Sequence, residues 1–252
     1  RVTSCSASLE SYYGAPHYQG GGISAGRNSS LYLVGCEIDR NYSNDGGGIA
    51  STGSVSINNS YIHHNRAGGY DMTTGGGVKA ATAYINNSTI SYNTASYGGG
   101  VAGSALIIHN SSLVGNTANG FISEFDGEHP GAGGAIYGSN VSIYGSTITG
   151  NRAGYGGISA LNLRISDSIA AGNGSAGYSN DIGGIGGGAY GSYQYPNSLT
   201  YSNGHNIFGS FVRGSAPGDL EDVATARLFA AIDAITGGGR LALNGGPTPT
   251  VA

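Results

Sequence analysis

The chain has 252 residues, of which 49 are glycine and only 10% are charged, with a net charge of −4. Globular domains carry about a quarter charged residues, and with no run of Lys or Arg the chain lacks the clustered cations that a nucleic-acid partner requires. No apolar stretch approaches the ~20 residues that span a bilayer, and two cysteines, Cys5 and Cys36, are too few for a disulfide framework or a four-ligand zinc site.

Glycine at this level without a strict Gly-X-Y period is not collagen, and regularly placed Ile, Val and Leu argue against disorder. In chain order, glycine clusters ending in Ile or Val recur at Gly20–Ile23, Gly46–Ile49, Gly75–Val78, Gly98–Val101, Gly133–Ile136 and Gly156–Ile158. Each precedes an asparagine: Asn41, Asn65, Asn93, Asn116, Asn151, Asn173. Five residues before each lies Cys36, Ser60, Ser88, Ser111, Ser146 or Ser168, and eight before lies Leu33, Ile57, Ile85, Ile108, Ile143 or Ile165. Successive asparagines stand 24, 28, 23, 35 and 22 residues apart. The variation sits almost wholly between each asparagine and the next glycine cluster, so one corner of the repeat takes the insertions. Val2, Cys5, Ala7 and Glu10 fall at the same offsets and suggest a degenerate opening copy, with Cys5 and Cys36 stacked on neighbouring coils.

Within each copy the apolar positions alternate with a period of two, which is the strand period. No hairpin turn recurs, so each strand's consistent partner is its counterpart one coil along. This predicts an all-β chain, a single-stranded right-handed parallel β-helix (solenoid) of about seven to eight coils over 1–211, with Ile57, Ile85, Ile108, Ile143 and Ile165 in one buried ladder. The asparagines read as a turn device, since Asn tolerates left-handed backbone and its amide can bond the next amide in the stack. Residues 212–252 form a capping segment. There Leu220, Val223, Leu228, Ile232 and Ile235 recur at helical spacing, Asp219 fits an N-cap and Gly237–Gly239 a stop, predicting a short C-terminal α-helix at about 219–235 laid over the open solenoid end.

The glycine-cluster and N-x-A coils, Gly204-His205-Asn206-Ile207-Phe208-Gly209, and Asn244-Gly245-Gly246-Pro247-Thr248-Pro249-Thr250 together resemble the secreted right-handed β-helix repeat proteins of the choice-of-anchor and polymorphic outer-membrane type. The resemblance covers nearly the whole chain. It implies export and attachment at the cell surface, and brings no catalytic residues with it. The chain ends at Ala252 where such proteins continue, which suggests a piece of a longer product.

Several residue groups bear on chemistry. The longest insertion, Thr117 to Ala132, carries Glu124, Asp126 and Glu128, whose oxygens suit Ca²⁺; a solvated acidic loop is the plainer reading, and no other cofactor is expected. Asp45 and Asp71 share that corner in earlier coils. Tyr42, Tyr70, Tyr97 and Tyr155 also lie in it and would form a glycan-contacting stripe if exposed, or shield glycine turns if not. Lys79, the only lysine, with Arg66 and Arg152, supplies the cations a polysaccharide lyase or epimerase needs. His63 and His64 are adjacent, and on a strand would face opposite ways. The balance favours an extracellular structural protein (a cell-surface scaffold, adhesin-like stalk or filament subunit) over a carbohydrate-active enzyme or a glycan-binding module. Its partners would be surface polysaccharide or further copies of itself, joined head to tail because Arg1 starts just before a core strand and leaves that end uncapped.

Overall fold

A computed structural model describes residues 2–3, 6–10, 20–26, 29–69, 72–124, 127–174, 181–184, 201–212, 215–242 and 248–251. The chain winds as a right-handed parallel β-solenoid of about six turns. Its long-strand sheet stacks Ser30–Val34, Ile49–Asn58, Val78–Asn86, Val101–His109, Ile136–Tyr144 and Ile158–Ser166. A middle sheet stacks Glu37–Asp39, Tyr61–His63, Thr89–Ser91, Ser112–Val114, Thr147–Thr149 and Ile169–Ala171. A corner sheet stacks Tyr42–Ser43, Arg66–Ala67, Thr94–Ala95, Thr117–Ala118 and Arg152–Ala153. The first coil splits its long strand into Ile23–Ala25 and Ser30–Val34, and from the second coil on the strand runs unbroken for nine or ten residues, with a register shift at Ala80/Thr82.

Ile57, Ile85, Ile108, Ile143 and Ile165 pair in register and are fully buried, as the repeat requires. Each such side chain contributes about 1.5–3 kcal/mol by leaving water. The turns are made by left-handed residues. One set precedes the serine ladder, with Cys36 at its head and Asn206 at its end: Gly35, Asn59, Asn87, Asn110, Gly145, Asp167 and His205. The other precedes the ladder asparagine: Arg40, His64, Tyr92, Gly115, Gly150 and Gly172. The ladder asparagines themselves are not left-handed, so that half of the expectation is corrected. At the glycine corner coils approach too closely for side chains: a Cβ on Gly99 would lie 2.3 Å from the Thr117 carbonyl oxygen.

The other half of the expectation holds. Asn65 donates its backbone N–H and its Nδ2 to Oδ1 of Asn93, at 2.9 and 3.0 Å, while Nδ2 also donates to the Ile38 carbonyl. The same pattern runs from Asn41 to Asn173. In the serine ladder each backbone N–H donates to the hydroxyl one coil along, and each hydroxyl donates to the carbonyl two residues before it. Both ladders point their donors the same way, so each must end on an acceptor. Asp181 receives Asn173 N and Nδ2 at 3.0 Å each. Asn206 receives Ser168 N, and Asp219 in turn receives Asn206 N and Nδ2 at 3.0 and 2.9 Å. In the Gly204–Gly209 motif, Asn206 therefore continues a ladder and Phe208 fills the end of the core.

Three expectations are corrected. The opening copy is not a parallel coil: Val2 pairs with Ile38 and Ala7 with Leu33, both antiparallel. An alternating pattern reads the same in either direction, so the sequence set the period and left the direction open. These strands lie along the edge of the first coil, which removes the premise that nothing covers it. The turn count is accordingly about six rather than seven to eight. Cys5 lies outside the described residues; Cys36 is buried at the head of the serine ladder.

The helix is Thr225–Leu228 alone, with no buried residue, rather than 219–235. Asp219 is engaged with Asn206, Ala216 and Ser202, Leu220 bridges to Ile207, and Asp222 is left-handed, which stops a helix there. The C-terminal segment runs back along the solenoid as a strap. Its hydroxyls and backbone meet Gly172 at Thr225, Gly150 at Thr236 and Gly238, Thr149 at Gly239, and Thr89 at Thr248 and Pro249. Beneath it the outward residues Thr89, Ser91, Val114, Thr149 and Ala171 of the middle sheet are buried.

Candidate functional site

The acidic insertion folds as a hairpin, Phe121–Ser123 against Gly127–His129, with Phe121 stacked on His129. Glu124 and Glu128 are exposed on it, and Asp126 lies outside the described residues. The insertion-corner tyrosines are not equivalent. Tyr42 is exposed and donates its hydroxyl to the Gly68 carbonyl; Tyr97 is buried against Phe121 and Tyr137; Tyr155 is half-buried; Tyr70 and Asp71 lie outside the described residues. Burial, with Tyr137 and Tyr155 close by, raises the Tyr97 phenol above its ordinary value.

The ladder asparagines Asn65, Asn93, Asn116, Asn151 and Asn173 are buried and bonded to one another, Asn41 half-buried at their head. Lys79 stands on the outer side of the long-strand sheet, its ammonium 2.6 Å from Asp45, whose other oxygen accepts the Thr74 N–H and hydroxyl. Arg66 and Arg152 point outward on the corner sheet, with Thr94 and Thr117 in register between them, and Arg152 donates to the Ile235 carbonyl. Beside Lys79 opens a cleft of about 470 Å³ lined by Ser51, Thr52, Ser104, Tyr137 and Ser139. The Thr52 hydroxyl is buried there without a hydrogen-bond partner.

A second cluster, at the outer face of the middle sheet in the first two coils, was missed by the strand argument. His63 and His64 do not face opposite ways: their Nδ1 atoms are 2.8 Å apart. His64 sits at the left-handed corner, φ 54°, which turns its side chain back over its neighbour's. The same corner one coil earlier brings Asp39 and Arg40 together at 2.5 Å. His63 Nε2 meets Glu37 Oε1 at 3.1 Å, and the two imidazoles lie between Tyr61, stacked on His63, and Tyr92, stacked on His64. Burial, His63 and Arg40 hold His64 below its ordinary imidazole value, and burial raises the Tyr61 and Tyr92 phenols. The signal available in the sequence was the bulky residue just before the ladder Asn in the early coils, where the later coils have glycine.

Among the described residues no group of three or more His, Cys, Asp or Glu could hold a metal ion, and no helix is long and apolar enough to cross a membrane. No family model matches the chain, and no curated protein and no solved structure matches it.

Proposed function

We propose that this chain is an extracellular structural protein, serving as a cell-surface scaffold, adhesin-like stalk or filament subunit of the choice-of-anchor and polymorphic outer-membrane type. One observation carries the reading. The polar residues repeated in every coil, the asparagines and serines, are turned inward and spend their hydrogen bonds on one another. Repetition in this chain is architectural, since a repeated binding array would leave those groups facing solvent. Export to the cell surface rests on the quoted motifs, two of whose residues, Asn206 and Phe208, close the coil stack. Electron microscopy and sedimentation of the native product test the reading: rods or filaments on the cell surface are expected, and a soluble monomer that depolymerises a polysaccharide would overturn it.

Glycan contact is a second reading, favoured by the buried, unpartnered Thr52 hydroxyl in a cleft lined by serines and Tyr137. Hydroxyl-rich walls with one aromatic face suit a sugar, and glycan-array binding lost in Tyr137→Ala is its expected signature. The lyase or epimerase reading has less support, because Lys79, its nearest cation, is committed to Asp45.

A further inference from the structure

We propose that His63 and His64 form a surface site for a single late first-row divalent metal ion, with Cu²⁺ held most tightly. The two Nδ1 atoms approach to 2.8 Å. Two nitrogens bound at about 2.0–2.1 Å to one ion, at right angles, stand about 2.9 Å apart, so the pair already has the bite of adjacent ligands on a square-planar or octahedral centre. In the metal-free protein the Nδ1–H of one ring donates to the other Nδ1; on binding, that proton passes through solvent to the same ring's Nε2, and the ion accepts both Nδ1 lone pairs.

The surroundings fix the rings in this pose. Glu37 Oε1 lies 3.1 Å from His63 Nε2. That contact places the His63 proton on Nε2 and leaves Nδ1 as a donor to metal, the arrangement by which carboxylates orient ligating histidines. Tyr61 stacks on His63 with centroids 3.9 Å apart and Tyr92 on His64 at 5.2 Å, so neither ring needs to be ordered on binding. His63 is almost wholly buried and His64 exposed, which leaves the bite open to solvent on one side. Because no third His, Cys, Asp or Glu joins them among the described residues, water completes the coordination. Two imidazoles with water suit Cu²⁺, which tolerates a tetragonal field and stands highest in the affinity order, over Zn²⁺, and exclude the all-oxygen preference of Ca²⁺ and Mg²⁺.

The test is titration of the whole chain with up to one equivalent of CuCl₂, followed by calorimetry and electron paramagnetic resonance. One equivalent bound, with hyperfine structure from two imidazole nitrogens, is expected. His64→Asn keeps a residue that tolerates the left-handed corner and removes one ligand; affinity falls more than about tenfold and the two-nitrogen signature disappears. Glu37→Gln, at a half-exposed carboxylate, leaves both ligands and weakens binding by about tenfold, in the range for outer-shell partners. Thermal unfolding of both variants without metal checks that each is folded. Copper bound to His64→Asn with the parent's affinity and spectrum, or no nitrogen coupling in the parent, overturns the proposal.

Discussion

The outer face of the middle sheet has two halves built on one repeat. In register along it stand Asp39, His63, Ser91, Val114, Thr149 and Ala171. The left-handed residues that follow are Arg40, His64, Tyr92, Gly115, Gly150 and Gly172. The first two coils carry charge, imidazole and phenol; there Asp39 and His63 are buried beneath their own neighbours, with Arg40 and His64 exposed. The last three coils lie under the strap and carry Val114, Thr149 and Ala171, each followed by glycine, while Ser91 and Tyr92 of the third coil stand between the two sets. The covering explains the change: a Cβ on Gly150 would lie 2.7 Å from the Thr236 hydroxyl oxygen, and one on Gly172 would lie 2.9 Å from that of Thr225. The backbone requirement is the same in all six coils, so what the corner residue may be is decided by the neighbour above it.

The sharpest way to break this comparison is to write a first-coil residue into a covered coil. Val114→Asp repeats Asp39 three coils later, but under the strap and beside Gly115, where Asp39 has Arg40. It should cost about 3 kcal/mol or more, as an unpaired buried charge does, and loosen the strap, read by chemical denaturation and by hydrogen exchange at Gly238 and Gly239. A cost below 1 kcal/mol would mean the strap does not cover this face. Thr149→Val keeps the shape and removes the acceptor of the Gly239 N–H, which is 3.0 Å away. Its expected cost is about 1–3 kcal/mol, the loss from orphaning one buried donor. In the first two coils, Glu37→Ala removes a half-exposed partner of His63 and should change stability by less than about 1 kcal/mol. If it costs as much as Thr149→Val, the two halves do not differ in the way described.

The ends of the two ladders repeat the contrast on a smaller scale. Asp181 is buried, and burial raises its carboxyl above the ordinary range despite hydrogen bonds from Asn173, Ser210 and Gly209. Its folded form therefore holds a proton more tightly than its unfolded form, and stability falls as pH rises from the ordinary carboxylate value toward the raised one. Asp219 is half-buried; burial alone would raise it, but donors from Ala216, Ser202 and Asn206 together hold it below the ordinary range. Its contribution is present above the ordinary value and is lost as pH falls through the lowered one. Denaturation midpoints followed across acid pH should show Asp181→Asn flattening the upper limb and Asp219→Asn the lower. An unchanged profile in both variants would remove these carboxylates as the ladder acceptors.

How much of this was legible follows from particular residues. The buried isoleucine ladder and the amide ladder were readable because period and offset are properties of the sequence itself. The helix at 219–235 was not, because the spacing from Leu220 to Ile235 is helical, while the ladder needed Asp219 as an acceptor and Ile207 needed Leu220 as a bridge partner. The His63–His64 pair was missed because alternation holds along a strand and fails at a left-handed corner.

By itself the sequence determined the coil, its core and its stacking, since like residues at like offsets can satisfy strand, core and amide requirements only by lying on one another. The direction of the opening strands, the course of the strap and the meeting of two adjacent imidazoles were decided by tertiary structure. Each depends on which surface is already occupied, and a pattern of period two records only that a residue points in or out, never what it will find there.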